Sequence, residues 1–384
     1  MASQQRSVIK LGSAVVAPDG RVDPGRLASF AGQIAALLKG RSQVIVVSSG
    51  AVASGFRGLG LVRPPRSIVK RQAAAAVGQR RLMSAWADAF APHGLEVAQV
   101  LLAADDLEDR RRFLNARRTI LELLASKVVP IVNENDTVSY DELKVGDNDR
   151  LCALVAGLVD ATFLLMLSSV EGLMEEGDRS RIVPLVDNIR AAMRHVRTTT
   201  SATGTGGMAT KLDAAATAVG WGIPAAIVGG DVGDSILRAL AGEPIGTRFP
   251  APFPARGSTR RLAKRWLAAG ARSHGTVVVD AGAQSAIRRR GGSLLPSGVA
   301  GVKGKFERGQ LVDIAGPDGV FARGIASYAA AEVAAIAGKR ATQIAATLGY
   351  HYADEVIHRD SLVLLESDPG ETAPGEGSRT EGDR

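Results

Sequence analysis

A single cysteine is all that this sequence of 384 residues contains. No disulfide can form within the chain, and Cys152 lies in the apolar run LCALVAGLV, where a buried thiol is expected. Aromatic residues make up only 4%. The core must therefore come from Ala, Val, Leu and Ile, and base stacking on aromatic side chains is not expected as a main binding device. The five histidines are scattered without ligand spacing, so no zinc site is expected. No apolar run reaches the length of about 18 residues that a membrane span requires. The opening MASQQRSVIKLG lacks the charged-then-apolar profile of a secretory signal, and a cytoplasmic protein is the expectation.

What is present is ordinary for globular chains: 46% hydrophobic and 22% charged residues, at a length that suits two domains. The net charge is +8; the last nineteen residues carry −4, which leaves +12 on the rest. That excess suits a phosphate-handling enzyme and an RNA binder alike.

Short β-branched runs alternate with alanine- and leucine-rich stretches over residues 7–250. Strands are expected at 7–11, 43–48, 96–102, 128–132, 162–167 and 225–229. Helical patterns lie near 24–39, 67–91, 107–126, 148–159, 187–196 and 209–221. Continuous apolar strands, each followed by a helix, predict an α/β fold: a mostly parallel central sheet with helices on both faces. Prolines 250, 252 and 254 and a basic stretch mark a linker over 251–275, after a catalytic domain over 1–250. Residues 276–360 read as short strands with glycine turns, including TVVVDAGAQSAI, and predict a small β-rich domain. The acidic, Pro/Gly-rich tail over 361–384 is expected to be disordered.

Ligands of such sheets sit beyond the carboxyl ends of the strands, and the chemically informative residues fall there. Lys10 and Gly12 end the first strand in KLGS, where a cation and backbone N–H groups can meet a phosphoryl group. Ser49 and Gly50 follow the second strand in VVSSGAVASG and open a helix. Asn133, Glu134, Asn135 and Asp136 follow the VVPIV strand, and Asp147, Asn148 and Asp149 precede an apolar helix. Carboxylates and amides so placed can grip an amino group, hold lysines, or bind Mg²⁺. TGTGGMATK, residues 203–211, sets glycines before a lone lysine at a helix start without the spacing of a Walker A loop. Phosphoryl transfer needs positive charge on the transferred group more than covalent help. Lys10 and Lys211 are expected to supply it, with Asp149 holding both.

KLGS, VSSGAVASG, FLNARRT, VPIVNENDTV, KVGDNDRL and GTGGMATKLDAA occur here in that order. In order and spacing they resemble the glutamate 5-kinase family of the amino-acid-kinase superfamily. The pattern V-x-G-x-F-x-R-G at Val302–Gly309 is similar to the PUA domain of bacterial members. The resemblance spans roughly residues 7–360. It implies ATP-dependent phosphorylation of the γ-carboxylate of L-glutamate, the first step of proline synthesis, with Mg²⁺ on the nucleotide. Lys10, Gly12 and the loop Thr205, Gly206, Gly207, Met208, Ala209, Thr210 and Lys211 would meet ATP. Ser49, Gly50, Asp136 and Asn148 would hold glutamate, and Asp149 would organise the lysines. The family further implies feedback inhibition by proline, a homo-oligomer (dimer or tetramer), and a glutamyl-phosphate reductase acting downstream.

One stretch departs. The family has Thr-Asp after the TFLLML strand, whereas this chain has Ser168-Ser169. Ser168 keeps a hydroxyl for the nucleotide, and loss of the carboxylate at Ser169 is expected to weaken ATP binding rather than the chemistry. KLGS and the glycine loop are shared across the superfamily, so acetylglutamate, aspartate, carbamate or UMP stays open as acceptor. The paired NEND and GDND motifs favour glutamate. RNA binding by the small domain, which carries the run Arg288–Arg290, is held as a minor accessory alternative.

Overall fold

Buried β-branched and leucine residues dominate the central parallel strands, which pair into one sheet. The computed structural model describes residues 5–103, 106–107, 110–138, 147–175, 178–198, 207–251 and 273–365. Thr205, Gly206, most of the linker expected at 251–275 and, of the tail expected disordered over 361–384, residues 366–384 lie outside the described residues, whereas Leu362–Leu364 is a strand. The chain divides into two compact units, 1–269 and 270–384.

In the first unit the strands are β1 (Arg6–Leu11), β2 (Gln43–Ser48), β3 (Val97–Leu102), β4 (Val129–Glu134) and β5 (Phe163–Ser168). The two-stranded hairpin β6 (Met174–Glu175) and β7 (Asp178–Ile182) follows, then β8 (Ala225–Gly229) and β9 (Thr247–Phe249). The helices are α1 (Ser13–Val16), α2 (Pro24–Lys39), α3 (Ala51–Gly55), α4 (Ile68–Phe90) and α5 (Arg110–Ala125). They continue with α6 (Asp147–Leu158), α7 (Ile189–Thr198), α8 (Met208–Gly220) and α9 (Ser235–Ala241). The main sheet runs β3-β4-β2-β1-β5-β8-β9, parallel throughout except for the antiparallel edge strand β9. From β1 the chain builds first toward β2 and later toward β5, so the strand order reverses at β1. In parallel sheets that reversal opens a crevice at the carboxyl ends, which here is the end of β1 carrying Lys10.

Successive strand residues face opposite sides of a sheet. Ile9, Leu11, Val44 and Val46 pack with Leu27, Phe30 and Ile34 of α2 and with Leu82, Trp86 and Phe90 of α4. Lys10, between Ile9 and Leu11, is thereby sent to the other face, where α6 packs on β1 and α8 on α6. Full burial of Trp86 leaves its indole N–H in need of an acceptor, and Ser48 Oγ receives it at 3.0 Å.

The helices α3 and α4 cross with their backbones nearly touching. A Cβ on Gly78 would lie 1.8 Å from the carbonyl oxygen of Ala51, and one on Gly55 would lie 1.8 Å from that of Ala74. Only glycine fits at either position. Gly50, ahead of α3, turns the chain with φ 114°, a conformation that side chains oppose. Its carbonyl accepts the Ser54 hydroxyl at 2.6 Å.

The second unit holds β10 (Gly275–Val279), β11 (Val299–Gly304), β12 (Leu311–Gly316), β13 (Gly319–Ile325) and β14 (Leu362–Leu364), in the order β11-β10-β12-β13-β14. The stretch TVVVDAGAQSAI, expected to be strands and turns, is half helix: α10 spans Ala281–Arg290. Asp280 explains the switch. Its carboxylate accepts the Ala283 N–H at 2.7 Å and caps the helix at the end of β10. With α11 (Ala330–Ile336) and α12 (Ile344–Leu348) it packs around Val277, Ile314, Phe321 and Tyr328. Among the described residues, no helix is long and apolar enough to cross a membrane.

Candidate active site

The centre is built from three elements that the sequence keeps far apart. Lys10 leaves β1, Asp149 lies in the first turn of α6, and Lys211 in the first turn of α8. Asp149 Oδ1 lies 2.5 Å from Lys10 Nζ, and Asp149 Oδ2 lies 3.2 Å from Lys211 Nζ. All three are buried: Lys10 is 5% exposed, Asp149 1% and Lys211 6%. Thr210 completes the carboxylate's shell, its hydroxyl donating to Asp149 Oδ2 at 2.7 Å, with Gly207 O 2.8 Å away. Thr210, expected on the phosphate, therefore holds the anchor of the lysines.

Among the described residues, two ammonium groups face one carboxylate where water is scarce. Burial alone would push the Asp149 carboxyl up, but the charges of Lys10 and Lys211 outweigh it and hold the group below its ordinary range. Burial pulls Lys211 below the usual lysine range; attraction to Asp149 opposes this, and repulsion from Lys10 adds to it. Cys152, one turn along α6, donates its thiol to the Asp149 carbonyl at 2.9 Å, and burial pushes that thiol up, so it is inert packing.

The N–H of Gly12, expected on phosphate, donates instead to Leu167 O at 3.2 Å and extends the sheet. A Cβ at Gly12 would make only ordinary contacts, 3.5 Å from Leu167 O and 3.8 Å from Lys10 Nζ. Ser49 is similarly committed at the backbone, where its N–H donates to Leu11 O at 3.0 Å, and its side chain is buried at the end of β2. Gly207, Met208 and Ala209 open α8, where helical N–H groups lack intrahelical acceptors and favour anions. Ser168 ends β5 nearly buried, its hydroxyl oxygen accepting the Val170 N–H at 3.5 Å, and Ser169 is exposed beside it.

On the other side of Asp149, β4 runs further than expected and takes in Asn133 and Glu134. Asn133 joins two helices: its Oδ1 accepts from Asn148 Nδ2 at 3.1 Å, and its Nδ2 donates to Gln79 Oε1 at 2.8 Å. Asp136 lies in the turn after β4. Sequence reasoning singled out neither Gln79, in the middle of α4, nor the amide chain it ends. The FLNARRT motif has a structural task, since Arg117 pairs with Asp160 at 2.9 Å.

Two buried ammonium groups at the strand-order reversal, beside backbone N–H groups at a helix start, suit the oxygens of a phosphate group. Residues 5–229 match the Amino acid kinase family, and residues 275–348 match the PUA domain. The glutamate 5-kinase of Geobacter sp. strain M21 is 47% identical over 368 residues, 94% of this chain and 98% of that protein. A glutamate 5-kinase of Thermus thermophilus is 45% identical over 369 residues, 95% of this chain and 98% of that one. A solved UMP kinase from Bacillus anthracis overlaps 65% of this chain and 96% of its own, at TM-score 0.44 and 15% identity. The chain belongs to the amino acid kinase family and, within it, to the glutamate 5-kinases.

Proposed function

We propose that the protein transfers the γ-phosphoryl group of ATP to the side-chain carboxylate of L-glutamate, giving L-glutamyl 5-phosphate and ADP, the first step of proline synthesis. The observation that carries this reading is the Lys10–Asp149–Lys211 cluster, whose two ammonium groups, held by one carboxylate, fit a phosphoryl group. The γ-carboxylate is ionised at neutral pH and attacks without a general base. One P–O bond forms as the bond to ADP breaks, and no proton moves. Lys10 and Lys211 neutralise the charge that spreads over the transferred oxygens, and Asp149 fixes both ammonium groups. The start of α8, from Gly207 to Ala209, and the preceding Thr205 and Gly206 cradle the phosphates. Ser168 and Ser169 contact the nucleotide. Ser49, Gly50, Asp136 and Asn148 hold glutamate.

Mg²⁺ enters this reading as the nucleotide's own counter-ion, supplying further charge neutralisation on the phosphates. Proline inhibition at the glutamate site, homo-oligomer assembly and a cytoplasmic location belong to the same reading, supported by relatives named glutamate 5-kinase.

Lys10→Met and Lys211→Met keep side-chain length and remove charge. Each is expected to lower kcat about 100- to 1,000-fold while the thermal midpoint holds. Wild-type turnover in either variant would refute the assignment.

A further inference from the structure

The amide chain beside Asp149 has a fixed polarity. Asn133 Oδ1 accepts the backbone N–H of Glu134 at 2.9 Å as well as Asn148 Nδ2. A backbone N–H can only donate, so the Asn133 amide has one permitted orientation, with its oxygen toward Glu134. Both neighbours follow. Gln79 must turn its oxygen to Asn133 Nδ2, which frees its Nε2; Asn148 must turn its NH₂ to Asn133 Oδ1, which frees its own oxygen. Gln79 Nε2 and Asn148 Oδ1 are both buried and, among the described residues, have no hydrogen-bond partner.

A buried donor and a buried acceptor left open at the two ends of one chain call for a ligand carrying both kinds of group. At neutral pH the ammonium is the only hydrogen-bond donor of L-glutamate, and its carboxylates only accept. The match is therefore forced in direction. We infer that Gln79 is a specificity-determining residue of the acceptor site, donating from Nε2 to a substrate carboxylate while Asn148 Oδ1 takes the ammonium. It also accepts from Asn133, whose orientation, set by the Glu134 N–H, keeps Asn148 Oδ1 open. The placement is built into the fold: Gly78, next to Gln79, packs against the carbonyl of Ala51 beside the Gly50 turn. This inference rests on the proposed function, since the ligand is taken to be a zwitterionic amino acid.

Gln79→Glu separates the two duties. The carboxylate still accepts from Asn133 but presents an acceptor, and a negative charge, where the donor was. Gln79→Met keeps the volume and removes both contacts, and it decides the matter if the Glu variant fails to fold. With both substrates varied, each variant is expected to raise KM for glutamate by about tenfold or more, with KM for ATP within about twofold. An unchanged KM for glutamate would overturn the inference. So would a parallel rise in both KM values with a lowered midpoint, which marks a merely structural residue. The wild type, assayed alongside, keeps the two readings apart. If it ignores glutamate but phosphorylates another amino acid, the proposed function fails, and Gln79 is judged on the KM of that acceptor.

Discussion

Lys211 is a charged group held where burial works against its charge. Its proton is retained through Asp149, 3.2 Å away, against the repulsion of Lys10. Raising the pH through the lowered pKa removes the charge that the transferred phosphoryl group needs, so activity falls. An alkaline limb in kcat/KM for ATP, which reports the free enzyme, is expected below the ordinary lysine value of about 10.4. In kcat the same limb shifts upward, because bound phosphates favour the ammonium form. A limb in kcat/KM at or above the ordinary value would contradict this. Both depressed pKa values make stability rise with pH, Asp149 in the acid range and Lys211 in the alkaline range. Asp149, with its pKa depressed, adds stability above the unfolded carboxyl range that is lost as the pH falls through the folded value. Lys211, with its pKa also depressed, costs stability while charged and less as the pH rises. Lys10, Asp149 and Lys211 are legible in the sequence because each lies within about a turn of a strand end or helix start. Gln79 is not, since it sits mid-helix and its partner Asn133 is 54 residues away.

At the level of elements, the close crossing of α3 and α4 positions Gln79 and the Gly50 turn. Gly78→Ala would drive a Cβ into the Ala51 carbonyl, backbone against backbone, where no side chain can swing away. A loss of about 3 kcal/mol is expected, toward the upper end for overpacking, and urea unfolding of the variant measures it. Wild-type stability would show that the helices can separate freely. The parallel strands are legible because strands buried on both faces are unbroken apolar runs, and their boundaries in the sequence fall within two residues of those observed. The hairpin β6–β7 and the edge strand β9 are not, being short and rich in polar residues such as Asp178, Arg179 and Arg248. In the second unit the apolar pattern of TVVV suggests strand well beyond Val279, but the Asp280 cap starts a helix there.

For the whole molecule, strand and helix patterning predicts a mostly parallel α/β sheet followed by a smaller β-rich one, and both sheets are present. What no composition or topology decides is the acceptor, because the sheet, the two lysines and the glycine turns serve any carboxylate kinase. The deciding measurement is hydroxylamine trapping of the acyl phosphate, with ATP and Mg²⁺ and a panel of glutamate, aspartate, acetylglutamate and carbamate. The account predicts hydroxamate from glutamate and from no other member of the panel, suppressed by proline. Hydroxamate from acetylglutamate or aspartate in preference to glutamate, or from none of the four, would contradict it.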